Sequence, residues 1–190
     1  MKTHESSLRH DPVSMSDARR AFAAAPVSAF LATGFGSGLS PVAPGTAGSL
    51  VGLAIAWLLR SHAGIVGSPV GLLTSGLAVG LLGVAVSGPV CRALGAEDPG
   101  CIVIDEISGQ LIACAAIPLV PLKTAGAAVA AWAGAFVLFR LFDIVKPGPI
   151  RGLQRLPGGW GVVIDDVAAG LAAAVVLAAA GWLAVRFGWI

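Results

Sequence analysis

Five apolar runs, each closed off by glycine, proline or charge, fill most of this chain: residues 47–59, 70–87, 100–120, 123–145 and 165–187. The last four approach the ~20 residues with which a helix crosses bilayer hydrocarbon. Composition agrees. The chain is 56% hydrophobic and only 12% charged, with a mean hydropathy of +0.88, far from the pattern of a soluble domain. The expected fold is therefore all-α, a polytopic membrane helical bundle of about four to five spans. The run at 47–59 is the shortest. It would tilt, join apolar residues 27–33 across a break, or only partly penetrate.

The chain divides into a polar and amphipathic segment, 1–26, and a membrane domain, 27–190. Ser16 is placed to N-cap a helix DARRAFAAA with Arg19 and Arg20 on one side, suited to lying at a membrane surface. Residues 1–20 are polar and mixed in charge, and no cleavable signal is expected. A net charge of +2 from scattered bases, with no basic aromatic stripe, gives no sign of nucleic-acid binding. Cys91, Cys101 and Cys114 form no CxxC and no zinc spacing. Cys101 and Cys114 are read as small apolar packing residues.

The bases orient the bundle. With a cytoplasmic N-terminus and five crossings, one side holds Lys2, Arg9, Arg19, Arg20, Arg92, Arg140, Lys146, Arg151 and Arg155, and the other Arg60, Lys123 and Arg186. Nine against three satisfies the positive-inside rule. The same choice puts the glycine loop and the acidic pairs on the cytoplasmic face.

Beyond Asp17 the acidic residues are Glu97, Asp98 and five carboxylates in very apolar surroundings: Asp105 and Glu106, Asp143, and Asp165 and Asp166. A carboxylate in a hydrocarbon-facing helix is costly unless paired, which makes each a candidate for function. Plain structural accounts exist. Asp98-Pro99 reads as an N-cap with proline at the first helical position. Asp105 and Glu106 then fall in a second turn, too deep to cap, and would otherwise hydrogen-bond a neighbouring helix. Asp165 and Asp166 could complement the positive end of the last helix, although one acid would suffice. Asp143 lies at a helix C-terminus, where the dipole repels it. Arg140 three residues earlier could neutralise it, and a bound cation would do so better.

The loop SPVAPGTAGS offers glycine backbone and hydroxyls before a helix expected from about Ala47, an arrangement that receives anions. It is not GxxxxGK[ST], so no nucleotide loop is implied. Gly48 and Gly52 could instead serve close helix packing. The linker KPGPIRGLQRLPGGWG adds bases for a phosphate or an anionic surface. His4, His10 and His62 lie away from these motifs, and no Cys-x5-Arg or DxDx[TV] sequence occurs. Carboxylates, bases and a glycine loop together suggest metal-assisted chemistry on a phosphate.

Three segments occur in order over about residues 31–175: ATGFGSGLSPVAPGTAGSLVGL, DPGCIVIDEISGQLIA and FRLFDIVKPGPIRGLQRLPGGWGVVIDDVAAG. Together they resemble the phosphatidylglycerophosphatase A family. The resemblance implies a helical bundle around a central helix. It also implies a membrane enzyme of phospholipid biosynthesis, in the bacterial inner membrane, that converts phosphatidylglycerophosphate to phosphatidylglycerol with Mg²⁺. The residues support such chemistry. Asp105, Glu106, Asp165 and Asp166 form the expected metal-binding set, with Asp143 a fifth ligand or an orienter. Ser40, Gly45, Thr46, Gly48 and Ser49 would receive the phosphate, with Arg140, Lys146 and Arg151 as counter-charges. The competing reading is a transporter or ion carrier that uses its intramembrane carboxylates.

Overall fold

The computed structural model describes residues 14–62, 64–153 and 156–188, so Arg155 and the polar residues before Ser14 lie outside it. Among the described residues there are helices and turns and no strand. α1 (Met15–Ala24) is capped by Ser14, whose Oγ accepts from the Asp17 N–H at 3.1 Å. The expected cap, Ser16, is already helical, because Ser14 is the residue with extended backbone. Arg19 and Arg20 are exposed while Ala18 and Ala21 are buried, as an amphipathic helix requires. α2 (Pro26–Ala32) follows, with its proline at the first helical position.

The remaining helices are α3 (Pro44–Ser61), α4 (Pro69–Leu94), α5 (Ile104–Cys114), α6 (Ala125–Val145), the short α7 (Pro149–Leu153) and α8 (Gly159–Arg186). Three of them, α4, α6 and α8, are long and apolar enough to cross a membrane. α3 has 18 residues but does not reach that hydropathy. The run at 100–120 is not one long helix. α5 has only 11 residues, about 16 Å of rise, and a 3-10 turn at Ile117–Leu119 follows it.

All 11 residues of α5 are buried, with α3, α4, α6 and α8 packed against it. Between apolar helices in lipid no hydrophobic force drives association, so close approach through small residues matters. Gly109 and Gly170 provide it between α5 and α8: a Cβ on Gly170 would overlap the Gly109 carbonyl. On the α3 side, Gly52 lies against Gln110 and Ile107. Gly83 meets Ile104 and Gly76 meets Ile112, so α4 runs antiparallel to α5. Cys101 and Cys114 are buried, as expected of packing residues. The N-terminal ends of α3, α5 and α8 thus meet the C-terminal ends of α4 and α6 at one end of the bundle, where Gly48 lies against Val103 and Gly159 against Val84.

Candidate active site

All five of the carboxylates in apolar sequence lie at that end, and none is more than 5% exposed. Their placement follows from where each helix starts. Asp98-Pro99 does not cap α5. Instead the Ile102 N–H donates to the Pro99 carbonyl at 2.9 Å, and the Val103 N–H donates to the Ala32 carbonyl of α2 at 2.9 Å. These bonds carry the chain inward before the helix begins at Ile104. Asp105 and Glu106 consequently occupy the first turn, not the second, at the positive end of a helix that no side chain caps. α8 behaves oppositely. It begins at Gly159, which puts Asp165 and Asp166 about two turns in, beyond the reach of simple dipole complementation.

Asp105, Glu106 and Asp166 converge: one carboxylate oxygen from each lies within 4.8 Å of the others. Asp105 Oδ1 and Asp166 Oδ2 are buried with no hydrogen-bond partner. Buried carboxylate oxygens in that state are strongly disfavoured unless a cation or proton joins them. Asp165, expected as a fourth ligand, is not part of that convergence: its Oδ1 is buried without a hydrogen-bond partner and its other oxygen pairs with a lysine. Its Oδ2 is 2.5 Å from Lys146 Nζ, which also lies 3.7 Å from Asp143 Oδ1. Lys146 is the C-cap of α6 in the left-handed conformation, φ 43°, where the chain turns out of the helix. Burial works against its charge, yet Asp166, Asp165 and Asp143, with the hydrogen bond from Lys146 to Asp165, hold its pKa above the ordinary lysine value.

Arg140 ties three helices together. Its Nη1 lies 2.6 Å from Asp143 Oδ2 one turn along α6, 4.0 Å from Glu106 Oε1 on α5, and donates to Ser49 Oγ on α3 at 3.3 Å. A Cβ on Gly45 would overlap Glu106 Oε1 and crowd the Arg140 guanidinium. Gly45 is therefore the point where α5 and α6 side chains reach the first turn of α3. Ser49 in turn donates to the Gly45 carbonyl at 2.8 Å. α3 starts at Pro44 rather than Ala47, and no side chain caps it. Thr46 stands beside Gly45 in that first turn, half-buried. Five buried carboxylates thus face two basic side chains, Arg140 and Lys146, in this cluster.

Other expected site residues take different places. Ser40 turns its hydroxyl onto the Val42 carbonyl of its own loop at 2.8 Å. Gly48 is packed against Val103, which fits close helix approach. Arg151 is exposed on α7. Gln110, one turn beyond Glu106, is fully buried with Oε1 unpartnered and its amide donating to Cys114 Sγ at 3.4 Å. It belongs to no motif that assigns it a role, and only its i+4 spacing from Glu106 signals it.

Known proteins are similar to this chain in sequence. A 38% identical relative is "Phosphatidylglycerophosphatase A" of Escherichia coli (strain K12), aligned over 77% of this chain and 79% of that protein. The protein of that name in Haemophilus influenzae is 41% identical, over 77% of this chain and 84% of the relative. A "Putative phosphatidylinositol-3-phosphatase" of Bacteroides thetaiotaomicron is 36% identical, over 80% of this chain and 92% of its own length. No solved structure matches. None of these three relatives is named as a transporter, and that reading gains no support. The family described as Phosphatidylglycerophosphatase A matches residues 30–181, a stretch that contains all five buried carboxylates, Arg140 and Lys146: the chain belongs to the phosphatidylglycerophosphatase A family.

Proposed function

We propose that this chain is a Mg²⁺-dependent membrane phosphatase that hydrolyses the terminal phosphomonoester of phosphatidylglycerophosphate to phosphatidylglycerol and phosphate. The observation that supports it most is the convergence of Asp105, Glu106 and Asp166 within 4.8 Å, buried and beside the uncapped start of α3. An all-oxygen, all-carboxylate donor set suits a hard divalent cation. The unpartnered oxygens of Asp105 and Asp166, and five buried carboxylates against two basic partners, fit such an ion. Asp105, Glu106 and Asp166 would hold it. Asp165 and Asp143 act instead through Lys146 and Arg140. When bound, Mg²⁺ would polarise a phosphoryl oxygen and make a bound water more acidic.

The chain's own residues do the rest. The free N–H groups at the start of α3, those of Gly45 and Thr46, and the Thr46 hydroxyl would receive the monoester oxygens, since the Ala47 N–H already donates to the Ala43 carbonyl. Arg140 and Lys146 offset charge that builds on phosphorus and on the departing glycerol oxygen. An oxygen nucleophile forms the new P–O bond as the bond to glycerol breaks. The glycerol oxygen leaves as a hydroxyl, and water supplies the atoms that balance the products. Phosphate monoesters hydrolyse extremely slowly unaided, so positioning and charge stabilisation are what the site must supply.

The bundle is read as crossing the bilayer five times around α5 as its central helix. α3, α4, α6 and α8 each cross, and α5 is completed by the residues that follow it. The N-terminus and the active site face the cytoplasm in a bacterial inner membrane. Arg92, Arg140, Lys146 and Arg151 lie toward the active-site end of the chain's path, and Arg60, Lys123 and Arg186 toward the other. Residues 27–190 make up the membrane domain, with the segment before it at the surface.

Purified protein in detergent should release phosphate from phosphatidylglycerophosphate with Mg²⁺ and lose that activity in chelator. No release under any divalent cation would overturn the proposal. The Bacteroides relative's name motivates a second substrate, phosphatidylinositol 3-phosphate, in the same assay. Both present a phosphomonoester on a lipid alcohol headgroup, and a higher kcat/KM for the inositol lipid would reassign the substrate while keeping the chemistry.

A further inference from the structure

Between Arg20 and Arg60 the chain carries no Asp, Glu, Lys, Arg or His. Much of that stretch, residues 26–43, belongs to no helix long enough to cross a membrane, since α2 has only seven residues. It nevertheless exposes five large apolar side chains: Val27 (71%), Phe30 (48%), Phe35 (59%), Leu39 (41%) and Val42 (77%). A cluster of this kind facing water marks an interaction surface.

The backbone holds one of these side chains outward at some cost. Gly34, Phe35 and Gly36 have φ of 54°, 58° and 92°, three successive left-handed residues with a phenylalanine in the middle. A bulky residue at positive φ is a genuine outlier and persists only where its surroundings over-determine it. Here they do. The buried Thr33 hydroxyl donates to the Phe30 carbonyl at 3.3 Å and accepts from the Gly36 N–H at 3.2 Å. The Phe35 N–H donates to the Phe30 carbonyl at 3.0 Å, and the Gly38 N–H to the Thr33 carbonyl at 2.9 Å. Gly34 is pressed against Ile107 and Val103, on either side of the acidic pair of α5. The turn is thus fixed to the first turn of α5 while the Phe35 ring points out, edge-on to Phe30 at 5.4 Å between centroids.

We propose that residues 26–43 are an interfacial anchor, with Val27, Phe30, Phe35, Leu39 and Val42 immersed in the glycerol and upper acyl layer of the leaflet beside the active site. The anchor sets the mouth of the site at the depth where a lipid's headgroup phosphate lies. Three observations favour lipid as the occupant. The segment is continuous with the membrane bundle, because Ala29 and Ala32 pack in one core with Val86 and Val90 of α4. It contains no charge. The exposed Arg19 and Arg20 of α1 come immediately before the charge-free stretch, as bases at an aqueous boundary do.

The inference rests on the membrane location given under the proposed function but not on the reaction, and its test needs no turnover. Single cysteines would replace Phe35 and, separately, Val42 in a chain lacking Cys91, Cys101 and Cys114. Each would carry a nitroxide label in phosphatidylglycerol–phosphatidylcholine vesicles. Oxygen should relax both labels more than a water-soluble nickel chelate does. The same should hold for a label at Val175, exposed on α8, and the reverse for one at Glu97. Nickel-dominated relaxation at both 35 and 42 would overturn the proposal. So would label–label broadening that vanishes on dilution with unlabelled protein, because a second copy would then cover the surface. A protein with no phosphatase activity would leave either depth result equally decisive.

Discussion

The two acidic pairs resemble each other in sequence and differ in the fold. Asp105 and Glu106 open a short, wholly buried helix, and both reach one point between helices. Asp165 and Asp166 sit about two turns into a long helix and part company: Asp166 joins the first pair, while Asp165 pairs with Lys146. Successive residues on an α-helix diverge by about 100°, so two adjacent aspartates rarely meet one ligand. The longer Glu106 side chain helps the first pair to reach one point. Adjacency of acids in sequence therefore says little about shared coordination, and one member of such a pair can serve as the counter-charge of a neighbouring helix.

The strongest test of this division is catalytic. Asp105→Asn and Asp166→Asn should each lower kcat about 1000-fold, about 4 kcal/mol of transition-state stabilisation, with the protein still inserted and folded. Asp165→Asn, which acts through Lys146, should cost only about 10- to 100-fold, the range for groups that support ligands. Steady-state phosphate release at saturating Mg²⁺ decides this. An Asp165→Asn loss as deep as the other two would return Asp165 to the metal-binding set.

Stability should separate the pairs in the opposite sense. Lys146 is only 15% exposed, and Asp165→Asn removes its 2.5 Å partner, leaving Asp143 at 3.7 Å and the nearby Asp166 charge. Stranding one partner of a buried pair typically costs about 3 kcal/mol or more, and the remaining Asp143 should hold the loss near ~2 kcal/mol. Adding Lys146→Met to Asp165→Asn should recover part of it. Asp166→Asn in chelator should instead stabilise the protein, because it relieves crowding with Asp105 and Glu106. Thermal unfolding in detergent without metal measures both. A Tm for Asp166→Asn below that of Asp165→Asn would break the comparison.

Local features were legible in the sequence where the physics is local. The long apolar helices, the buried carboxylates and the pairing of Arg140 with Asp143 one turn away all follow from composition and 3.6-residue spacing. Helix starts were less so. Asp98-Pro99 has the chemistry of a cap, but backbone bonds to Pro99 and to Ala32 claim the chain first. Ser14 and Ser16 are equally good caps by type, and only their backbone angles choose between them. Least legible was what depends on distant packing. Arg140 and Ser49 are 91 residues apart, and Lys146 and Asp165 are 19 apart. Gly45 likewise looks like an anion-loop glycine, yet its lack of a side chain is what admits Glu106 and Arg140.

The smallest expected effect comes from a base that serves neither pair. Arg151 is exposed on α7, whereas Arg140 and Lys146 have buried carboxylate partners. The reacting monoester of the proposed substrate lies a few bonds from a diester phosphate that undergoes no change. A contact to that diester contributes binding and orientation rather than chemistry. Arg151→Ala should therefore lower kcat/KM for the lipid by about tenfold, the worth of ~1.4 kcal/mol, while a soluble monoester without the diester is hydrolysed unchanged. If Arg151 only attracts the anionic surface, Arg151→Lys will be fully active and added salt will weaken wild type and variant alike. A bidentate contact to the diester would instead discriminate against lysine, whose ammonium lacks the planar fork. Equal losses on lipid and soluble substrates would place Arg151 with Arg140 and Lys146 at the reacting phosphate, and the separation between buried and exposed bases would fail.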